Sequence, residues 1–89
     1  MKEKIGVIGA GKIGAAIARG VIRAGLATKD RVMASDVSEA LRQSISQELG
    51  VEATADNRKV ADFADIVILA VKPQIVDPVA KEIAGKLGK

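Results

Sequence analysis

Three glycines in the run Gly9-Ala10-Gly11-Lys12-Ile13-Gly14 constrain this chain more than any other feature. The apolar stretch Ile5–Ile8 precedes them, and apolar residues at three- and four-residue steps follow. A glycine turn between a strand and an amphipathic helix is the G-x-G-x-x-G pattern of a dinucleotide-binding βαβ unit. Each glycine has its own task there. Gly9 permits the turn off the strand, Gly11 lets a pyrophosphate approach the backbone, and Gly14 lets the helix lie near the strands. Free amides and the positive dipole end of the helix then face the phosphates. The competing reading is a tight turn with no ligand. Context favours the phosphate, because the motif leaves a strand and opens a helix inside a unit of about thirty residues.

The rest of the chain alternates in the same way. The first helix is expected from about Ile13 to Ala24, with Ile13, Ala16, Ile17, Gly20, Val21 and Ala24 as its inward stripe and Gly25 as its cap. Gly20 is read as a close-packing position. Arg31–Ser35 reads as a second strand, and Ser38 as the N-cap of a helix whose Leu41, Ile45 and Leu49 face inward before Gly50 ends it. Val51–Thr54 is a short third strand. Asp56 caps a helical turn through Lys59–Phe63, with Val60 and Phe63 inward. Asp65–Val71 is the fourth strand, with Asp65 itself a turn residue. A last helix begins between Pro73 and Pro78, where Asp77 followed by Pro78 suits an N-cap and first position; it ends near Leu87, with Val79, Ile83 and Leu87 inward. This order predicts parallel strands joined by right-handed crossovers. The fold class is therefore α/β, a Rossmann-like doubly wound parallel sheet of order 3-2-1-4 with helices on both faces. Residues 1–89 read as one dinucleotide-binding domain, or part of a larger one; the resemblance described below implies the N-terminal part of a longer enzyme.

Composition narrows the chemistry. There is no Cys and no His among the 89 residues, and Phe63 is the only aromatic. Disulfides, thiolate zinc sites and His or Cys catalysis are excluded, and no metal site or catalytic residue is expected. The core must come from Ile, Val, Leu and Ala, as in a parallel sheet covered by helices. The net charge of +3 reads as a solvated surface: no basic run exceeds two residues and no ring is free to stack on a base. Neither a nucleic acid nor a membrane is an expected partner. The N-terminus lacks the apolar run of a signal peptide, and a cytoplasmic setting fits.

Asp36 lies 22 positions beyond Gly14, at the end of the second strand. There a carboxylate can accept hydrogen bonds from the ribose hydroxyls of NAD and would repel a 2′-phosphate; the alternative is a turn aspartate. The cofactor is read as NAD or NADP, leaning to NAD from Asp36, with Arg42, Arg58 and Lys59 as charges able to offset an NADP phosphate. Lys12 is either an added charge on the pyrophosphate or an exposed lysine of a helix start.

The stretches "IGVIGAGKIGAAIARG", "VMASD", "TADN" and "ILAVKPQ", in this order, resemble the N-terminal domain of the pyrroline-5-carboxylate reductases over nearly the whole chain. The resemblance implies reduction of the C=N bond of 1-pyrroline-5-carboxylate to L-proline by hydride from NADH or NADPH. It implies pyrophosphate contacts along Gly9, Ala10, Gly11, Lys12, Ile13 and Gly14, and an adenosine-ribose or 2′-phosphate contact at Asp36. It further places Asn57 against the adenosine portion, and Ala70, Val71, Lys72 and Pro73 beside the nicotinamide ribose. From the residues alone, Asn57 is equally a cap, and Lys72-Pro73 equally the end of a strand. The family's helical substrate domain is absent from this sequence, so little turnover is expected of the chain alone. Strand four would then lie at a sheet edge, inviting self-association through that edge or exchange of the last helix. Other classes are the cofactor domain of an F420-dependent NADP reductase or related dehydrogenase, and a non-catalytic nucleotide-binding module.

Overall fold

The computed structural model describes residues 3–87, and within its last helix the side chains of Pro73, Asp77 and residues 85–87 lie outside that description. Strand β1 spans Ile5–Ile8, β2 Val32–Ser35, β3 Glu52–Thr54 and β4 Ile66–Leu69. Helix α1 spans Lys12–Arg23, α2 Glu39–Leu49, α3 Asn57–Phe63 and α4 Pro73–Leu87, and a 3-10 turn at Lys29–Arg31 precedes β2. The strands pair in parallel in the order β3-β2-β1-β4. That is the expected topology.

Side chains alternate across the sheet and divide the core in two. Ile5 and Val7 of β1 join Ala18 of α1, Val32 and Ala34 of β2 and Ile45 of α2 in one buried cluster. Ile8 and Met33 join Val60 and Ala61 of α3 and Val79 and Ile83 of α4 in the other. Two helices thus cover each face of the sheet. Close approach on the second face depends on Gly6, where a Cβ would stand 2.4 Å from Val60 Cγ1.

Local chemistry explains most boundaries. Leu26 N–H donates to Val21 O and Gly25 N–H to Ile22 O, the paired bonds that close a helix C-terminus. Ser38 Oγ accepts from Leu41 N–H and Asp56 Oδ1 from Arg58 N–H, so both expected caps form. On the outer surface Arg19 grips Glu48 through Nε to Oε2 at 2.5 Å and Nη2 to Oε1 at 3.1 Å, tying α1 to α2. This hydrogen bond from Arg19 holds the Glu48 carboxyl below its ordinary value.

Five expectations need correction. The inward face of α1 is Gly14 and Ala18, with Ala15, Val21 and Ile22 against the core; Ile13 is 70% exposed, and Ala16, Gly20 and Ala24 are exposed too. Contact at Gly14 fixes the rotation of the helix, and the apolar residues are numerous enough to suggest a second stripe. Gly20 makes no close approach, since a Cβ there would meet nothing within 4 Å. In α2, Ile45 is buried and Leu49 packs on the core, but Leu41 is exposed. Finally, α4 starts at Pro73 and runs through Pro78, so Pro78 is an interior residue and not a first position. The expected capping by Asp77 and the inward placement of Leu87 concern side chains outside the described residues. The fourth strand is also shorter than expected, and at the edge of the sheet Ile66 is exposed while Val67–Leu69 are half-buried.

Candidate functional site

Parallel register brings three strand ends level. Ile8 lies beside both Ser35 and Leu69, so Gly9, Asp36 and Ala70 emerge together from the carboxyl edge of the sheet. In an open α/β sheet this edge is where ligands settle. A cleft of about 370 Å³ opens there. Gly9, Gly11, Asp36, Asn57, Ala70, Val71 and Lys72 line it, with Ile8, Ser35, Val37, Ile75 and Val79 completing the wall.

The glycine loop is tightly built. Gly9 has φ of +106°, which favours a residue without a side chain, and a Cβ there would lie 2.4 Å from Ala70 O. Its N–H donates to Ser35 O at 2.8 Å. A Cβ on Gly14 would fall 1.7 Å from Gly9 O, so only glycine lets α1 sit this near the loop. Gly11 differs from both. It is the N-cap of α1, makes no side-chain cap bond, and a Cβ on it would meet nothing within 4 Å. The helix start also carries no acidic residue in its first turn. Its amides lack intrahelical acceptors, and the bare Gly11 leaves open the approach to them.

Asp36 does more than the sequence suggests. Its Oδ2 accepts from Ala10 N–H and its Oδ1 from Ser38 N–H, both at 2.9 Å. The carboxylate therefore pins the glycine loop to the end of β2 as well as lining the cleft. Arg42 Nη1 donates to Asp36 O at 2.9 Å and Val37 O at 3.1 Å, bringing a cation to the same corner. Asn57 opens α3, accepts from Ser35 Oγ at 2.6 Å and donates to Glu82 Oε1 at 3.0 Å.

The structure thus gathers most of the expected residues in one place. Ala10 is buried behind the loop, Gly14 is buried under it, and Lys12 and Ile13 stand exposed on α1 outside the cleft lining. Pro73 begins α4, but its side chain lies outside the described residues. Sequence reasoning missed Ile8, Ser35, Val37, Ile75 and Val79. Ser35 left one signal, a hydroxyl ending an apolar strand; Ile8 read as strand and Val79 as core, and nothing in the pattern singled out Val37 or Ile75. Among the described residues no group of three or more His, Cys, Asp or Glu side chains converges to hold a metal ion. No helix among them is long and apolar enough to cross a membrane.

Comparison with known proteins agrees with this geometry. A family model described as NADP oxidoreductase, coenzyme F420-dependent, matches residues 4–89. The pyrroline-5-carboxylate reductase of Methanosarcina acetivorans is 40% identical over 85 residues, which is 96% of this chain and 32% of that one. Among solved structures, a pyrroline-5-carboxylate reductase from Coxiella burnetii superposes with a TM-score of 0.92 at 31% identity, covering 100% of this chain and 33% of that chain. A Plasmodium falciparum pyrroline carboxylate reductase with NADP bound gives 0.81 at 27% identity, covering 97% and 30%. The chain spans about a third of the length of the relatives it matches.

Proposed function

The chain belongs to the family of coenzyme F420-dependent NADP oxidoreductases, and on that premise we propose that it is the nicotinamide-dinucleotide-binding domain of a pyrroline-5-carboxylate reductase. The observation that carries this reading is the uncapped start of α1 opening past a bare Gly11 into the cleft. A diphosphate fits there because backbone amides point at it and no side chain intervenes. Asp36 and Val37 border the adenosine side, and Ala70, Val71 and Lys72 the nicotinamide side, as the order of the strand ends suggests. Gly9, Ala10 and Gly14 shape the loop, while Lys12 and Ile13 flank its mouth. NAD is the preferred form in this reading, since Asp36 keeps a carboxylate at the ribose corner and Arg42 Nη1 is occupied by two carbonyls.

When bound, the dinucleotide supplies a hydride to a C=N carbon. The residues of this chain bind and orient it; hydride transfer asks little of protein acids or bases, and the imine nitrogen takes the accompanying proton from water. Holding the imine over the ring is a separate task that sets the rate. The complete enzyme reduces 1-pyrroline-5-carboxylate to proline in this proposal, in the cytoplasm, while the 89-residue chain alone binds dinucleotide with little turnover. Calorimetric titration with NADH and NADPH tests it: NADH binds, more tightly than NADPH, and Gly11→Val abolishes both. Unimpaired binding by that variant would overturn the reading.

The isolated chain is further proposed to self-associate through β4. Its four residues are apolar and uncharged, its outer edge pairs with no strand among the described residues, and Ile66 is 42% exposed. The opposite edge, β3, is shorter and carries Glu52 facing Lys59 Nζ at 3.5 Å, a charged pair that discourages pairing.

A further inference from the structure

Ser35 is the only buried polar side chain among the described residues. Its hydroxyl donates to Asn57 Oδ1, and Asn57 Nδ2 donates in turn to Glu82 Oε1 on α4. Three elements are joined by this relay, and two of its members, Ser35 and Asn57, line the cleft. Glu82 does not line it.

We infer that Glu82 is a positioning residue: it fixes the orientation of the Asn57 carboxamide so that the amide presents an N–H, and not a carbonyl oxygen, to a dinucleotide in the cleft. The argument is one of donor and acceptor inventory. A serine hydroxyl either donates or accepts, so Ser35 alone would tolerate the amide both ways round. An ionised carboxylate only accepts. Glu82 therefore draws the NH2 end of Asn57 toward α4 and leaves the oxygen to Ser35. One amide hydrogen serves Glu82; neither Ser35 nor Glu82 takes the second, which remains for an acceptor on the ligand. Glu82 is itself held in place by its neighbour Ile83, 1% exposed in the cluster that also contains Val60 of α3. Packing of α4 on α3 thus sets the polarity of a group in the cleft. The inference rests on the dinucleotide reading above.

The test titrates Glu82→Gln and Glu82→Ala with NADH and with ADP. Gln can donate as well as accept and Ala can do neither, so neither variant dictates the amide's orientation. Each is expected to bind about fivefold more weakly than the parent, the worth of one modest hydrogen bond, although loss of a negative charge would by itself favour an anionic ligand. In an Asn57→Ala background neither change weakens binding further, which a merely structural role of Glu82 would not produce. Unchanged or tighter binding by both variants, or a loss that survives Asn57→Ala, overturns the inference while leaving the dinucleotide reading standing. Failure of the parent chain to bind either ligand overturns both. Should Glu82→Ala melt below the titration temperature, Glu82→Leu, equally unable to accept, takes its place.

Discussion

At the residue scale, two glycines of one motif separate folding from binding. Gly14→Ala drives a Cβ into Gly9 O and is expected to destabilise the chain by at least about 3 kcal/mol, read from urea melts. Gly11→Ala meets nothing and should fold within about 1 kcal/mol of the parent. Its affinity for NADH should nonetheless fall roughly tenfold or more, about 1.4 kcal/mol, because the methyl group stands where the diphosphate approaches. The reverse pattern in melts and titrations would mean that the two roles are misassigned. Asp36→Ala has a third profile. It leaves the Ala10 N–H without an acceptor and takes the carboxylate from the ribose corner, so it should cost about 1–3 kcal/mol of stability and weaken NADH more than NADPH. A pure switch of preference toward NADPH at unchanged stability would contradict that. The structural tasks of Gly9 and Gly14 were legible in the sequence because their spacing encodes them. The double amide clasp of Asp36 and the Ser35–Asn57–Glu82 relay were not, since both join residues brought close only by the completed sheet.

Elements show where local pattern suffices. Strand order followed from apolar runs alternating with capped helices, and the caps at Ser38 and Asp56 formed as their residue types imply. The rotation of α1 and the start of α4 did not follow. Apolar residues surround much of α1, and only contact at Gly14 selects the buried face; an Asp-Pro pair imitates a helix start whether or not the helix has already begun. Pro78, inside α4, removes an amide that would answer the carbonyl of Gln74. Pro78→Ala should therefore stabilise the chain by on the order of 1 kcal/mol, read as a rise in melting temperature; an unchanged or lower value would mean that the missing amide costs the helix nothing there. The Arg19–Glu48 link between α1 and α2 has its own signature. Glu48 binds its proton less readily folded than unfolded. Its contribution is present above the ordinary carboxylate value and is lost as pH falls through the lowered one, so stability rises with pH across that interval. Glu48→Gln should flatten this part of the acid limb in melts, by little, because the pair is exposed.

For the whole molecule, the exposed side of β4 makes association a measurable property. Light scattering should show the 89-residue chain growing in mass with concentration, and Ile66→Lys should return it to the monomer by placing a charge on the edge strand. A monomer at every concentration would remove that proposal. The two-layered core has a different consequence. The layer over Ile8 and Met33 is sealed by Val79 and Ile83 of α4, and Val79 with Ile75 of the same helix also forms a wall of the cleft. Opening that helix would therefore dismantle the ligand's berth, so ligand and helix must guard one another. At a free ligand concentration of about 100 Kd this linkage is worth about 2.7 kcal/mol against any state that cannot bind, and a protease probing the C-terminal helix would register an occupied cleft as a slower clock.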